Sequence, residues 1–307
     1  MRIVFFGTPD FAVVSLRALL NGRFTVAGVV TQPDKPRGRS RSELASPPVK
    51  LFAQSQGIPV LQPNRPLGDV FAASLRRLEP DLGVVVAYGH ILKPEILAVP
   101  PRGMINVHAS LLPRYRGAAP IQHAILRGES ETGISIIQME AGLDSGPVLH
   151  HVPTPIGPEE SAGELTQRLA ELGGVALVEA LSLISGGLAR PQPQDHVRAT
   201  FAPKVDREMA RLVWDRDAAT LVRQVRAFDP SPGAWTTLHD GVLKVFNGRE
   251  VPGTGAPGEV LAAGERLVVA AARGAIAVQE VQPAGKNRLP VEAWVRGRGV
   301  AAGDRLI

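Results

Sequence analysis

The chain has 307 residues, 44% hydrophobic and 21% charged, the balance of a globular protein long enough for about two domains. It has no cysteine, which excludes disulfides, thiolate nucleophiles and cysteine-bound zinc. No run approaches the ~20 apolar residues that span a bilayer, and Gly7, Pro9 and Asp10 break the apolar start too early for a secretion signal. A cytoplasmic protein without membrane contact is expected. The formal charge of +5 is spread, with 19 basic and 17 acidic residues in 1–200 and 15 and 12 in 201–307. That excess permits a polyanionic partner without demanding one.

In chain order, Ile3–Phe6 is a short continuous apolar run, as in a strand buried on both faces of a parallel sheet. Phe11–Leu20 has helical spacing and ends at Asn21-Gly22. Val26–Val30 reads as a strand. Residues 33–48 hold four prolines and many charges and read as a long loop. A helix over Val49–Gln56, a strand at Pro59–Leu61, a helix over Val70–Leu78 and a very apolar strand at Leu82–Ala87 follow. Met104–Val107 and Ile134–Met139 are two further strands. This alternation predicts a Rossmann-like, doubly wound, mostly parallel sheet with ligands outside the carboxyl ends of its strands. The first turn, Gly7-Thr8-Pro9-Asp10, has one glycine where a dinucleotide fingerprint needs three, so nicotinamide binding is not supported.

Ser161-Ala162-Gly163-Glu164 has the form of a capping box. It opens a long helix with Leu165, Leu169, Leu172, Ala176, Leu177, Ala180, Leu181 and Ile184 as its apolar stripe, and Gly186-Gly187 ends it. Residues 188–203 lack periodicity and read as an extended linker. Beyond them, a helix at Ala218–Phe228 precedes short β-rich runs at 234–238, 242–246, 258–261, 267–271 and 275–281, a pattern suited to a small β-barrel. The expected division is a catalytic domain at 1–187, a linker at 188–203 and a β-barrel domain at 204–307.

Asn106 and His108 are two residues apart at the end of an apolar run, so on a strand both side chains point to one face. Asp144 lies in the Gly-flanked segment Gly142-Leu143-Asp144-Ser145-Gly146 and can reach the same cleft. An amide donor, an imidazole and a carboxylate are the minimum set for acyl transfer through an oxyanion. His90, His123, His150 and His151 show no metal-ligand spacing, and no metal is expected. Lys35, Arg37, Arg39 and Arg41 alternate in the 33–48 loop. A solvated surface explains such a run, and so does contact with nucleic acid. Arg114 and Arg116 flank Tyr115 next to the catalytic strand and suggest anion contact.

Taken with Ser110-Leu111-Leu112-Pro113-Arg114-Tyr115-Arg116-Gly117, the Asn106, His108 and Asp144 set resembles that of the folate-dependent formyltransferases. Phe6–Phe11, Thr31–Asp34, Val84–Gly89, Gly117–Gln122 and Gln282–Lys286 extend the resemblance over nearly the whole chain. It implies formyl transfer from 10-formyltetrahydrofolate as donor, with Asn106, His108 and Asp144 catalytic and Ser110, Leu111, Leu112, Pro113, Val86 and Tyr88 at the donor site. It also implies an oligonucleotide-binding-like barrel at the C-terminus, and a monomer is expected. Members that formylate glycinamide ribonucleotide share the catalytic domain. Formyltetrahydrofolate hydrolases carry an additional N-terminal domain, whereas this chain starts on its first strand. The long 33–48 loop and the C-terminal module favour the branch that acts on methionyl initiator tRNA. There the loop's cations meet the acceptor stem, so Lys35, Arg37, Arg39, Arg41, Arg114 and Arg116 become tRNA contacts. Arg39 matches the family's key arginine. After it the family shows a lysine-rich pair, where this chain has Ser40-Arg41, and Ser231 stands where a large aromatic is common. A non-catalytic RNA-binding protein on a dead formyltransferase domain is disfavoured because Asn106, His108 and Asp144 are all present.

Overall fold

The structure is a computed structural model that describes residues 1–37, 43–239, 241–297 and 299–307. The strands of the first sheet are β1 (Arg2–Gly7), β2 (Thr25–Val30), β5 (Val60–Leu61), β6 (Leu82–Val86), β7 (Met104–His108), β8 (Glu131–Gln138) and β9 (Val148–Pro155), in the order β5-β2-β1-β6-β7-β8-β9. The pairs from β5 to β7 are parallel and β7–β8 is antiparallel. Between β2 and β5, strands β3 (Lys35–Arg37) and β4 (Glu43–Ala45) form a small antiparallel hairpin. The sequence suggested loop throughout 33–48. Three-residue strands carrying Pro36 are too short for alternation to register.

The helices are α1 (Asp10–Asn21), α2 (Pro48–Ser55), α3 (Gly68–Arg76), α4 (Pro94–Leu97), α5 (Pro120–Leu126), α6 (Ala162–Ser185), α7 (Ala218–Phe228) and α8 (Val291–Arg296). Strand parity distributes them over the first sheet. Val4, Phe6, Val85 and Met104 form one buried cluster with Phe71, Ala72 and Leu75 of α3 and Ile96 and Leu97 of α4. Val107, three residues after Met104, points to the opposite face. There Gly173 of α6 lies so close that a Cβ would meet Val107 Cγ1 at 3.1 Å, and at Gly174 one would meet Ala18 Cβ of α1 at 3.1 Å. The consecutive glycines let α6 settle against the sheet and α1. Helices therefore cover both faces of a Rossmann-like sheet. The capping box at the start of α6 is reciprocal. Ser161 N donates to Glu164 Oε2 at 2.9 Å, and Glu164 N donates to Ser161 Oγ at 3.3 Å.

The second sheet is antiparallel. Its strands are β10 (Ala234–Leu238), β11 (Gly241–Val251), β12 (Val260–Ala263), β13 (Leu267–Ala270), β14 (Ala275–Pro283) and β15 (Leu289–Pro290), in the order β10-β11-β14-β13-β12 with β15 on β14. Asp217 caps α7 by accepting from Thr220 N at 2.7 Å. Leu221 and Val225 of α7 pack with Val245, Ile276 and Val278.

The chain forms two compact units, residues 1–117, 132–154 and 166–202 in one, and 118–131, 155–165 and 203–307 in the other. This differs from the contiguous division read from the sequence. In the second unit α5 packs against α7, His123 Nε2 lies 3.0 Å from Pro203 O, and Arg226 of α7 donates to the carbonyl oxygens of Glu160 and Gly157 at 3.0 and 2.8 Å. The stretch read as a linker is extended but held within the first unit, where Gln192 and Val148 exchange both backbone hydrogen bonds at 2.8 Å. Among the described residues no helix is long and apolar enough to cross a membrane.

Candidate active site

Strand β7 carries Met104, Asn106 and His108 on one face. Met104 ends in the core, while Asn106, at the strand's carboxyl end, is partly exposed and His108 is 5% exposed. Asp144 arrives from the loop between β8 and β9, with φ +46, a left-handed conformation that aspartate tolerates better than most residues.

The three side chains converge. Asn106 Nδ2 donates to Asp144 Oδ1 at 3.3 Å, and Gly117 N donates to Asp144 Oδ2 at 2.9 Å. His108 Nδ1 is 3.6 Å from Asp144 Oδ2, and His108 Nε2 is 3.0 Å from the carbonyl oxygen of Tyr115. A carbonyl oxygen can only accept, so Nε2 carries the hydrogen and Nδ1 is the nitrogen turned toward the carboxylate. One of the two Asn106 N–H groups goes to Asp144, which leaves the other for a ligand.

The 110–117 loop is fixed by its own polar groups. Ser110 Oγ donates to Arg114 O at 2.6 Å. Ser135 Oγ on β8 donates to Ser110 O at 2.5 Å and accepts from Leu112 N at 3.0 Å. Tyr115 sits at φ +62, and its N–H donates to Thr200 Oγ1 at 2.9 Å. At Gly117, φ +121, a Cβ would meet Ala202 O at 2.7 Å, so this position needs glycine on both counts.

The expected donor-site residues separate by environment. Leu111 packs over Gly133 of β8, and Leu112 is buried with Ile137 and Val148. Ser110 is fully buried and Pro113 partly exposed, so this segment offers a ligand chiefly backbone. Val86 is fully buried and the Tyr88 ring is 2% exposed, edge-on to Phe6 in the core. Burial pushes the Tyr88 phenol up to about 12. The Tyr88 carbonyl oxygen accepts from Thr8 Oγ1 at 3.0 Å and Gln32 Nε2 at 2.9 Å, which ties the turn after β6 to β2.

The expected tRNA contacts also separate. Lys35 is exposed and its Nζ is 2.6 Å from Gln32 Oε1. Arg37 ends β3, and Arg39 and Arg41 lie outside the described residues. The foot of the hairpin is clamped at Asp34, which accepts from Ser46, Lys50 and Gln62 at 2.7 to 3.0 Å. The bond from Gln62, then that from Lys50, holds the Asp34 carboxyl below its usual range. Arg114 is exposed, with its guanidinium 5.4 Å from the Tyr115 ring centre. Arg116 departs from expectation. It is 6% exposed, and its guanidinium donates to Gln194 Oε1 at 3.1 and 2.7 Å and lies 3.1 Å from His196 Nδ1. Buried, and with its Nε and Nη2 edge committed to Gln194 and His196, Arg116 is corrected from a tRNA contact to an internal anchor.

Three contributors escaped the sequence reading, namely Ser135, Gln194 and Thr200. Ser135 had a usable signal as a lone hydroxyl in the apolar strand Ile134–Ile137. Gln194 and Thr200 stand in an aperiodic stretch and had none. Among the described residues no group of three or more His, Asp or Glu side chains is placed to hold a metal ion.

A mostly parallel sheet whose strand ends gather an amide, an imidazole and a carboxylate has the groups that acyl-group transfer uses. Residues 1–181 match the formyl transferase family and residues 204–299 match the formyl transferase C-terminal domain, so the chain belongs to the formyl transferase family. It is 47% identical to the methionyl-tRNA formyltransferase of Magnetococcus marinus over 99% of this chain and 98% of that one. It is 44% identical to the methionyl-tRNA formyltransferase of a Roseiflexus species over 100% of this chain and 95% of that one. Among solved structures, HypX from Aquifex aeolicus in complex with tetrahydrofolic acid superposes with a TM-score of 0.66 at 23% identity, over 97% of this chain and 47% of that one. That last likeness concerns the fold.

Proposed function

We propose that this chain transfers the formyl group of 10-formyltetrahydrofolate to the α-amine of methionine esterified to initiator tRNA. The observation that carries the reading is the convergence of Asn106, His108 and Asp144 at the end of β7, with Asp144 pinned by Gly117 N. The donor supplies an activated formyl carbon when bound, and backbone of Ser110–Pro113 and of the turn after β6 lines its site.

The chain's own groups do the rest. The remaining Asn106 N–H is aimed at the charge that develops on the formyl oxygen. One such donor is worth about 2.7–4 kcal/mol. His108, with Nε2 occupied by Tyr115, works through Nδ1, beside Asp144. Asp144 holds the amine proton there as the new C–N bond forms, and that proton passes to N10 of the donor as the formyl C–N10 bond breaks and tetrahydrofolate leaves, a role worth on the order of 10²–10⁴ in rate. Lys35, Arg37, Arg39, Arg41 and Arg114 meet the tRNA, and the C-terminal antiparallel unit, an oligonucleotide-binding-like barrel in this reading, extends the tRNA surface. The protein acts as a monomer in the cytoplasm.

Single-turnover transfer from labelled donor tests this. Label is expected on the methionine amine of the charged tRNA with wild-type protein and not with Asp144→Ala. Transfer unimpaired by that substitution would remove the reading.

A further inference from the structure

We propose that Gln194 is a positioning residue for formyl transfer, holding the Asp144 loop in its working geometry, with Arg116 in turn holding Gln194. The inference rests on the reading of Asp144 as part of the catalytic set.

The Gln194 carboxamide spends all of its hydrogen-bonding capacity inside the protein. Nε2 donates to Asp144 O at 2.8 Å and to Gly146 O at 2.7 Å. Oε1 accepts Arg116 Nε at 3.1 Å and Nη2 at 2.7 Å. Two donors and two lone pairs are thus matched with no remainder. The side chains of Gln194 and Arg116 are 7% and 6% exposed, so water does not replace these bonds when they are lost.

What the brace holds is a backbone that would not hold itself. Asp144 sits at φ +46, and at Gly146 a Cβ would lie 1.8 Å from Gln138 O, so the loop turns tightly back on β8. Two residues before Gln194, Gln192 pairs with Val148 at the start of β9. The 192–194 segment therefore fastens the loop along its length. It reads the backbone of Asp144 and Gly146, while the Asp144 side chain stays free for Gly117, Asn106 and His108.

The main chain of Arg116 closes the frame from the other side. Arg116 is adjacent to Tyr115, whose carbonyl oxygen meets His108, and to Gly117, whose N–H meets Asp144. Arg116 N donates to Thr200 O and Ala202 N donates to Arg116 O, each at 2.8 Å. The buried guanidinium thus holds the Asp144 main chain through Gln194, while the backbone of the same residue is tied beside the groups that orient His108 and Asp144. Misplacing a reacting group by about 1 Å costs about 10²-fold in rate, which makes a brace of this kind visible in turnover.

The test compares Gln194→Ala, the isosteric Gln194→Glu, Arg116→Ala, Arg116→Ala with Gln194→Ala together, and Asp144→Asn. Gln194→Glu keeps a partner for Arg116 but loses both donors and sets an oxygen against two carbonyl oxygens. Both Gln194 variants are expected to lose about 10–100-fold in kcat, with KM for donor and acceptor within about threefold of wild type. Thermal unfolding and binding of a folate analogue verify that each variant is folded, and Gln194→Glu preserves the argument if Gln194→Ala is not. The double variant is expected to be no slower than the slower of its single variants. Multiplying losses would overturn the action of Arg116 through Gln194. Folded Gln194 variants with wild-type kcat, or with the loss confined to KM, would overturn the inference. If instead Asp144→Asn itself turns over normally, the site reading fails first.

Discussion

His108 and Asp144 face each other across 3.6 Å, Nδ1 to Oδ2, while the other ring nitrogen of His108 is committed to the Tyr115 carbonyl oxygen at 3.0 Å. In the tautomer with its hydrogen on Nε2, the ring presents a lone pair on the side of this carboxylate. Two acceptors in apposition leave a place for a proton-bearing group, and an attacking amine is such a group. Proton handling therefore falls on the Nδ1 side of the ring. Asn106→Ala, His108→Ala and Asp144→Ala are each expected to lower kcat by about 10²-fold or more with modest change in donor affinity. Steady-state kinetics with a donor-binding titration check this, and near-normal turnover in all three would dismiss the site.

The hairpin that follows β2 is anchored at Asp34 by Ser46, Lys50 and Gln62. Asp34→Ala is expected to raise KM for methionyl initiator tRNA several-fold through a loosened loop, because the charge-assisted bonds at its foot are gone. Donor affinity should not move. A loss in donor affinity with tRNA use intact would place this loop at the donor pocket. Arg39→Ala, at the loop's own cation, is expected to behave in the same direction.

Binding of the full chain to tRNA is expected to fall steeply with salt, since phosphate contacts release counterions. Titrations at several salt concentrations give the slope. A flat response would oppose a phosphate-tracking surface. A cut after residue 203 would be a poor route to that surface, because residues 118–131 and 155–165 belong to the same compact unit as 203–307.

The capping box of α6 gives a pH-dependent contribution with a defined sign. The backbone N–H of Ser161, then its hydroxyl, holds the Glu164 carboxyl below its usual value. A depressed folded value means stability present above the unfolded value of about 4.3 and lost as pH falls through the folded one. Glu164 is exposed, so screening limits the ionic part to a few tenths of a kcal/mol, about the size of a surface pair. Glu164→Gln should be slightly less stable than wild type above about pH 5, and the two should converge as pH falls below 4. Urea unfolding at several pH values measures the difference, and a gap that widens in acid would contradict the sign. Ser161→Ala, which removes the cap itself, should cost about 1 kcal/mol near neutral pH.

Much of this was legible because strands and helices impose periods. Asn106 and His108 could be placed on one face from spacing alone, and the structure has them on β7 as a strand requires. Helix α7 was read from the sequence at Ala218–Phe228, and the structure has it there. The brace at Gln194 was not legible, since an extended, Pro-rich segment has no period and a carboxamide announces no partner. Arg116 misled because a charged residue is usually exposed, and nothing in Arg-Tyr-Arg distinguishes the exposed Arg114 from the buried Arg116. Helices α4 and α8, of four and six residues, are too short for a stripe to emerge.

The identity of the acceptor separates this enzyme from its ribonucleotide-formylating relatives, and a single competition measures it. Wild-type protein is given 10-formyltetrahydrofolate with methionyl initiator tRNA, glycinamide ribonucleotide and water present together, and the formyl group is followed. Formyl is expected on the methionine amine of the tRNA, with the ribonucleotide unmodified and free formate at background. Formyl on glycinamide ribonucleotide, or release as formate, with the tRNA untouched, would contradict it.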